Sequence, residues 1–196
     1  CRSGRNRRRS ACRVPAPQKS SGIAGIAILL LLLVAAAGTA VWWFVLREQA
    51  TDDETIAEQA TRAAFDRTQL QEAALAADRW LEINPTSENA HRYAGIAALK
   101  LHRLDDAEAQ FSYLLDTVYI SPAAGFLALL PVIGDEGVAT DVMELFRRLS
   151  ARHPGVGEGH YAYGSAALRA DNFAAAEKSA ETAVAKAPFW KPAKML

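Results

Sequence analysis

The sequence predicts an all-α chain: a single N-terminal transmembrane helix followed by an α-solenoid, a row of helical hairpins each leaning on the next. Three observations carry this expectation. Residues 22–46 are a continuous apolar run without a charge. From residue 54 onward, small residues and prolines recur at intervals of about 34 positions. Between those markers the apolar residues keep a helical period, and no segment alternates as a strand would.

Length and composition narrow the function classes. The chain has 196 residues, 51% of them hydrophobic, with 22 acids and 22 bases. That balance hides a segregation of charge. Residues 1–21 hold seven bases (Arg2, Arg5, Arg7, Arg8, Arg9, Arg13 and Lys19) and no acid, and read as a basic cytoplasmic tail. Residues 47–196 carry fifteen bases and all twenty-two acids, so this part is net −7. A folded domain that binds nucleic acid needs a basic face, so no nucleic-acid partner is expected. Cys1 and Cys12 lie in the tail without CxxC spacing or a nearby histidine, which points to free thiols and no zinc.

The apolar run is "GIAGIAILLLLLVAAAGTAVWWFVL", Gly22 to Leu46. As a helix it spans ~37 Å, against a hydrocarbon core of ~30 Å. Thirteen of its residues are Ile, Leu, Val or Phe. At roughly 0.3–0.6 kcal/mol each, they favour insertion by at most about 4–8 kcal/mol. Trp42 and Trp43 fall where an interfacial aromatic belt is expected. The bases before the run, against Glu48, Asp52, Asp53 and Glu54 after it, place the N-terminus in the cytoplasm. In a bacterium, the body then lies in the periplasm, anchored to the inner membrane through residues 22–46. A cleaved secretory signal is the competing expectation, with "AAAGTA" as its cleavage site. Signal cores run ~7–15 residues, and this run continues to Leu46, which favours a retained anchor.

The repeat is countable. Ala73, Ala107, Val142 and Ala176 are spaced by 34, 35 and 34, and Pro85, Pro154 and Pro188 by 69 and 34. In "LDDAEAQFSYLL", Leu104, Ala107, Phe111, Leu114 and Leu115 share one helical face, opposite Asp105, Asp106, Glu108 and Gln110. Each proline ends a helix, because it has no N–H to donate and keeps the preceding residue out of the helical region. Gly95 and Gly164 each follow such a proline by ten residues and allow paired helices to approach closely. The units run 54–87, 88–122, 123–156 and 157–190, within a repeat domain of 54–190. The first helix of the opening unit is expected to be weak, since Thr61 stands where a small residue belongs. In the third unit we expect a short helix from about Pro122 to Leu130, a turn around Gly134 and Gly137, and a helix from Val138 to Arg152. Residues 191–196, "KPAKML", read as the start of a further, truncated repeat.

A unit of 34 residues with this grammar resembles the tetratricopeptide repeat (TPR). The small eighth residue matches Gly95 and Gly164, and the small twentieth matches Ala73, Ala107 and Ala176. The large residue at position 24 matches Phe111 and Phe146, and the closing proline matches Pro85, Pro154 and Pro188. The segments "ADRWLEINPTSENAHRYAGIAALKLHRLDDAEAQF", "GFLALLP" and "RRLSARHPGVGEGHYAYGSAAL" are more closely similar to bacterial envelope TPR proteins. These include lipoprotein adaptors of carboxy-terminal-processing proteases. Their lipidated cysteine is missing here, since neither cysteine follows the apolar run. The resemblance implies a concave face lined by Arg62, Phe65, Asn89, Arg92, Ile96, Leu99, Lys100, Leu127, Tyr161, Ser165, Leu168 and Arg169. It implies a protein or extended-peptide partner there, whose carboxylates meet Arg62, Arg92, Lys100 or Arg169. His91 and His160 fall at the fourth position of their units, where the family packs an aromatic between helices, and are read as structural.

No sequence feature calls for catalysis. GxSxG, P-loop, GxGxxG and His-x-x-x-His patterns are missing, and the glycines of "GVGEG" follow a helix instead of a strand. Asp105 and Asp106 begin a helix, where carboxylates complement the dipole. The expectation is a membrane-anchored scaffold or adaptor with no enzymatic activity, no cofactor and no metal. Two other functions fit the same features: an assembly factor or chaperone-like subunit of an inner-membrane complex, and the non-catalytic N-terminal part of a longer enzyme.

Overall fold

A computed structural model describes residues 53–194 of the chain. The basic tail 1–21 and the apolar segment 22–46, with the membrane anchor expected there, lie outside the described residues. Among the described residues no helix is long and apolar enough to cross a membrane.

Those residues are helical throughout and contain no strand. Helix α1 spans 53–66 and is followed by α2 (Leu70–Ile83), α3 (Glu88–Lys100) and α4 (Leu104–Tyr113). A π-helical turn, Leu114–Val118, extends α4. Then come α5 (Pro122–Ile133), α6 (Ala139–Arg152), α7 (Gly157–Arg169) and α8 (Phe173–Lys186), with a 3₁₀ turn at Lys191–Lys194. Local chemistry sets many of the starts. Ser87, Ser121 and Asn172 each accept a backbone N–H three residues on, which caps α3, α5 and α8. Pro122 adds a preset φ at the first position of α5.

Three of the four hairpin turns use one device. Thr68, His102 and Asp171 sit in the left-handed region at φ near 57°, spaced 34 and 69 residues apart. In each case the next residue's N–H bonds the carbonyl five back: Gln69 to Ala64, Arg103 to Ala98 and Asn172 to Ala167. This closes the last helical turn around its orphan carbonyls. The third pair departs from the pattern. Its turn covers 134–138 and holds no left-handed residue. Pro131 does not end α5 at Leu130, as the sequence suggests; the helix runs on to Ile133. Pro131 is exposed while Leu129 and Ile133 are fully buried, so side-chain packing outweighs one missing backbone bond.

Packing is local along the chain. Each helix from α2 to α4, and from α6 to α8, packs on the next, while α4 also meets α6 and α5 meets α7. The apolar core follows this order. One cluster runs from Ile96 and Leu99 through Phe111, Leu115, Phe126 and Phe146 to Ala166, and a smaller one gathers Ala57, Trp80 and Ala90. Close approach depends on glycine. A Cβ on Gly95 would lie 2.7 Å from the buried Phe111 ring, and one on Gly159 would lie 2.9 Å from Phe126. Gly164 is buried as well. In α1 the equivalent place belongs to Thr61, fully buried with its hydroxyl donated to the Ala57 carbonyl at 2.8 Å. That bond satisfies the only polar atom of the side chain, so α1 forms with threonine there. On the far side, Arg148 of α6 ties Asp105 and Glu108 of α4 to Glu144. The hydrogen bonds from Arg147 and then Arg148 hold the Glu144 carboxyl down at about 2.

Gly95→Leu is expected to lower unfolding free energy by ~1–3 kcal/mol through overpacking against Phe111. Gly155→Ala, at a glycine with open space around it, is expected to stay within ~0.5 kcal/mol of the parent. Denaturant titrations that rank the two variants equally would contradict this packing.

Candidate functional site

The first helices of the opening pairs, α1 and α3, lie together through their aromatic residues. Phe65 of α1 meets Tyr93 of α3 with ring centroids 5.3 Å apart, and Tyr93 reaches Trp80 of α2 at 6.1 Å. Ile96 lies one helical turn beyond Tyr93. Together with Arg62, Asp66 and Glu136 these residues line a cleft of about 300 Å³. Glu136 belongs to the α5–α6 turn, so the long third turn supplies one wall.

The structure brings only some of the expected concave residues together. Arg62, Phe65 and Ile96 share the cleft. Asn89 and Arg92 form a separate pair at the start of α3, with Arg92 donating to Asn89 at 3.1 Å and to Glu88 at 3.3 Å. Leu127 and Leu168 are exposed on α5 and α7, and Ser165 is half-buried. Tyr161 is covered edge-on by Trp190, centroids 4.9 Å apart. Leu99 is a correction: it is completely buried, and a Cβ on Gly137 would lie 2.9 Å from it, so it offers nothing to a ligand. Ile96 is only 8% exposed and serves as floor.

The electrostatics also differ from the expectation of four available cations. Arg62 pairs with Glu58 at 2.5 Å, Arg92 with Glu88, Lys100 with Glu136 at 2.8 Å, and Arg169 with Asp135. Each is held by a carboxylate of the chain itself. Glu88 also accepts the Tyr119 hydroxyl at 3.3 Å; burial, followed by the Glu88 charge, pushes that phenol's pKa up.

Asp66, Tyr93, Asp135 and Glu136 were missed in the sequence. Tyr93 sits beside the family positions that the resemblance implies, so a position rule passes over it. Asp135 and Glu136 had a signal, since they lie between two glycines in a turn longer than its counterparts.

The histidines have structural surroundings. His91 stacks on Tyr113 at 3.9 Å, and its ring nitrogens lie 2.7 Å from Gln110 Oε1 and 2.9 Å from the Pro85 carbonyl. His160 repeats the second contact, facing the Pro154 carbonyl at 3.3 Å. In both repeats the imidazole holds the proline turn to the helix that follows it. Among the described residues no group of His, Cys, Asp and Glu is arranged to hold a metal. No protein-family model matches the chain, and no curated protein matches it.

Core and cleft should separate in mutagenesis. Leu99→Ala is expected to cost ~2–5 kcal/mol of stability and Arg62→Ala less than ~0.5. A Leu99→Ala protein as stable as the parent would place that side chain in the groove after all.

Proposed function

We propose that the protein is a single-pass membrane-anchored scaffold, with residues 22–46 in a bacterial inner membrane and a TPR-type repeat domain in the periplasm. That domain binds an extended segment of a partner protein. One observation carries the reading: an apolar and aromatic floor of Phe65, Tyr93 and Ile96 opens between first helices, rimmed by Arg62, Asp66 and Glu136. Buried aromatic anchors with a polar rim are where binding energy concentrates in protein interfaces. An extended peptide would set an apolar side chain on the Phe65–Tyr93 pair and its polar groups against the rim. The acidic charge of the body favours a protein partner over nucleic acid. The role we propose is recognition of a partner.

The test is crosslinking of the intact protein in native membranes, followed by identification of what is captured. Tyr93→Ala combined with Phe65→Ala is expected to reduce capture of the specific partner about tenfold or more, with the helical content retained. Recovery of an envelope protease or its substrates supports an adaptor. Capture undiminished by the double substitution contradicts the cleft as the binding site.

A further inference from the structure

We propose that the α5–α6 turn is a built-in competitor for the groove, its adjacent carboxylates occupying the two cations that a partner's acidic pair would take. The proposal rests on the binding reading above and names both a partner class and a control on access.

The other three hairpin turns close in three residues with a left-handed cap; this one takes five and begins with Gly134-Asp135-Glu136-Gly137. Chain reversal does not require the extra length. What the length achieves is reach to both neighbouring first helices. Glu136 meets Lys100 of α3 at 2.8 Å, and Asp135 meets Arg169 of α7. The flanking glycines let the turn seat: any side chain at 137 would collide with Leu99, and one at 134 with the Arg169 guanidinium. Glu136 also lines the cleft with Phe65 and Tyr93. A carboxylate thus already stands beside the aromatic floor, where a ligand's acid would stand.

Both ion pairs are partly exposed, and such pairs are weak and exchange readily. A partner with two neighbouring acidic residues and an apolar residue for the aromatic floor can replace them without leaving a cation unpaired. A neutral or basic segment cannot. The turn therefore selects for acidic partners and lowers their apparent affinity by the share of time it holds the two cations.

The probe is a fluorescein-labelled peptide copying residues 130–141, LPVIGDEGVATD, titrated by anisotropy onto the intact chain in detergent micelles. The Asp135→Asn/Glu136→Gln protein is expected to bind it about three- to thirty-fold tighter than the parent, because the tethered copy no longer competes. Lys100→Gln/Arg169→Gln should abolish binding, as should Asn and Gln in place of the peptide's Asp135 and Glu136. Amide exchange at 134–138 should quicken about tenfold in Asp135→Asn/Glu136→Gln while α3 and α7 stay protected. Equal peptide affinity in parent and variant, with unchanged exchange of the turn, overturns the competitor and leaves the groove standing. If no protein binds the peptide, the competitor falls too; the groove is then judged by its Phe65 and Tyr93 dependence in the crosslinking experiment.

Discussion

A large side chain resting on a glycine closes successive junctions of this domain. Phe111 of α4 lies over Gly95 of α3, Leu115 and Tyr119 over Gly125 of α5, and Phe126 of α5 over Gly159 of α7. In each case even a methyl group would meet the opposing side chain at under 3 Å. This interlock brings helices near enough for alanine-rich faces to bury apolar area. Two such helices alone bury too little to offset the entropy of ordering them. The core accordingly passes from pair to pair and does not collect at one centre, as expected of a structure whose stability is shared between nearest neighbours.

The cleft forms on the first helices α1 and α3, with the α5–α6 turn as one wall. Its aromatic floor is anchored in the core through Trp80, while its rim is charged. Apolar floor and charged rim are separate parts of the molecule. Substitutions in the first should change stability and binding together, and those in the second only binding. The irregular third pair links them: its turn contributes to the wall, buries Leu99 and holds two of the four expected cations.

Much of the helical architecture was legible because it rests on strong local rules. Pro85, Pro154 and Pro188 stand in turns, and the 3.6-residue period of the Leu104–Leu115 stretch marks α4 and its buried face. Less visible were features decided by context. The left-handed turn residues are Thr68, His102 and Asp171, which carry none of the glycine signal that usually marks such a cap. Pro131 reads as a helix end, yet packing of Leu129 and Ile133 carries α5 past it. The π turn at Leu114–Val118 has no sequence signature; it keeps both Leu114 and Leu115 buried. The concave residues were the least legible, since a position rule assumes every hairpin turn is short. One longer turn was enough to place Leu99 in the core and to pair Lys100 and Arg169 with the chain's own acids.

Mutual dependence of neighbouring pairs is the central claim, and native-state hydrogen exchange of Phe126→Ala tests it most directly. Phe126 belongs to α5 and rests on α7, so the account predicts that amides of α7 and α8 lose protection along with those of α5 and α6. Protection of α7–α8 that remains at the parent level while α5 opens would show pairs that stand alone, and would contradict it.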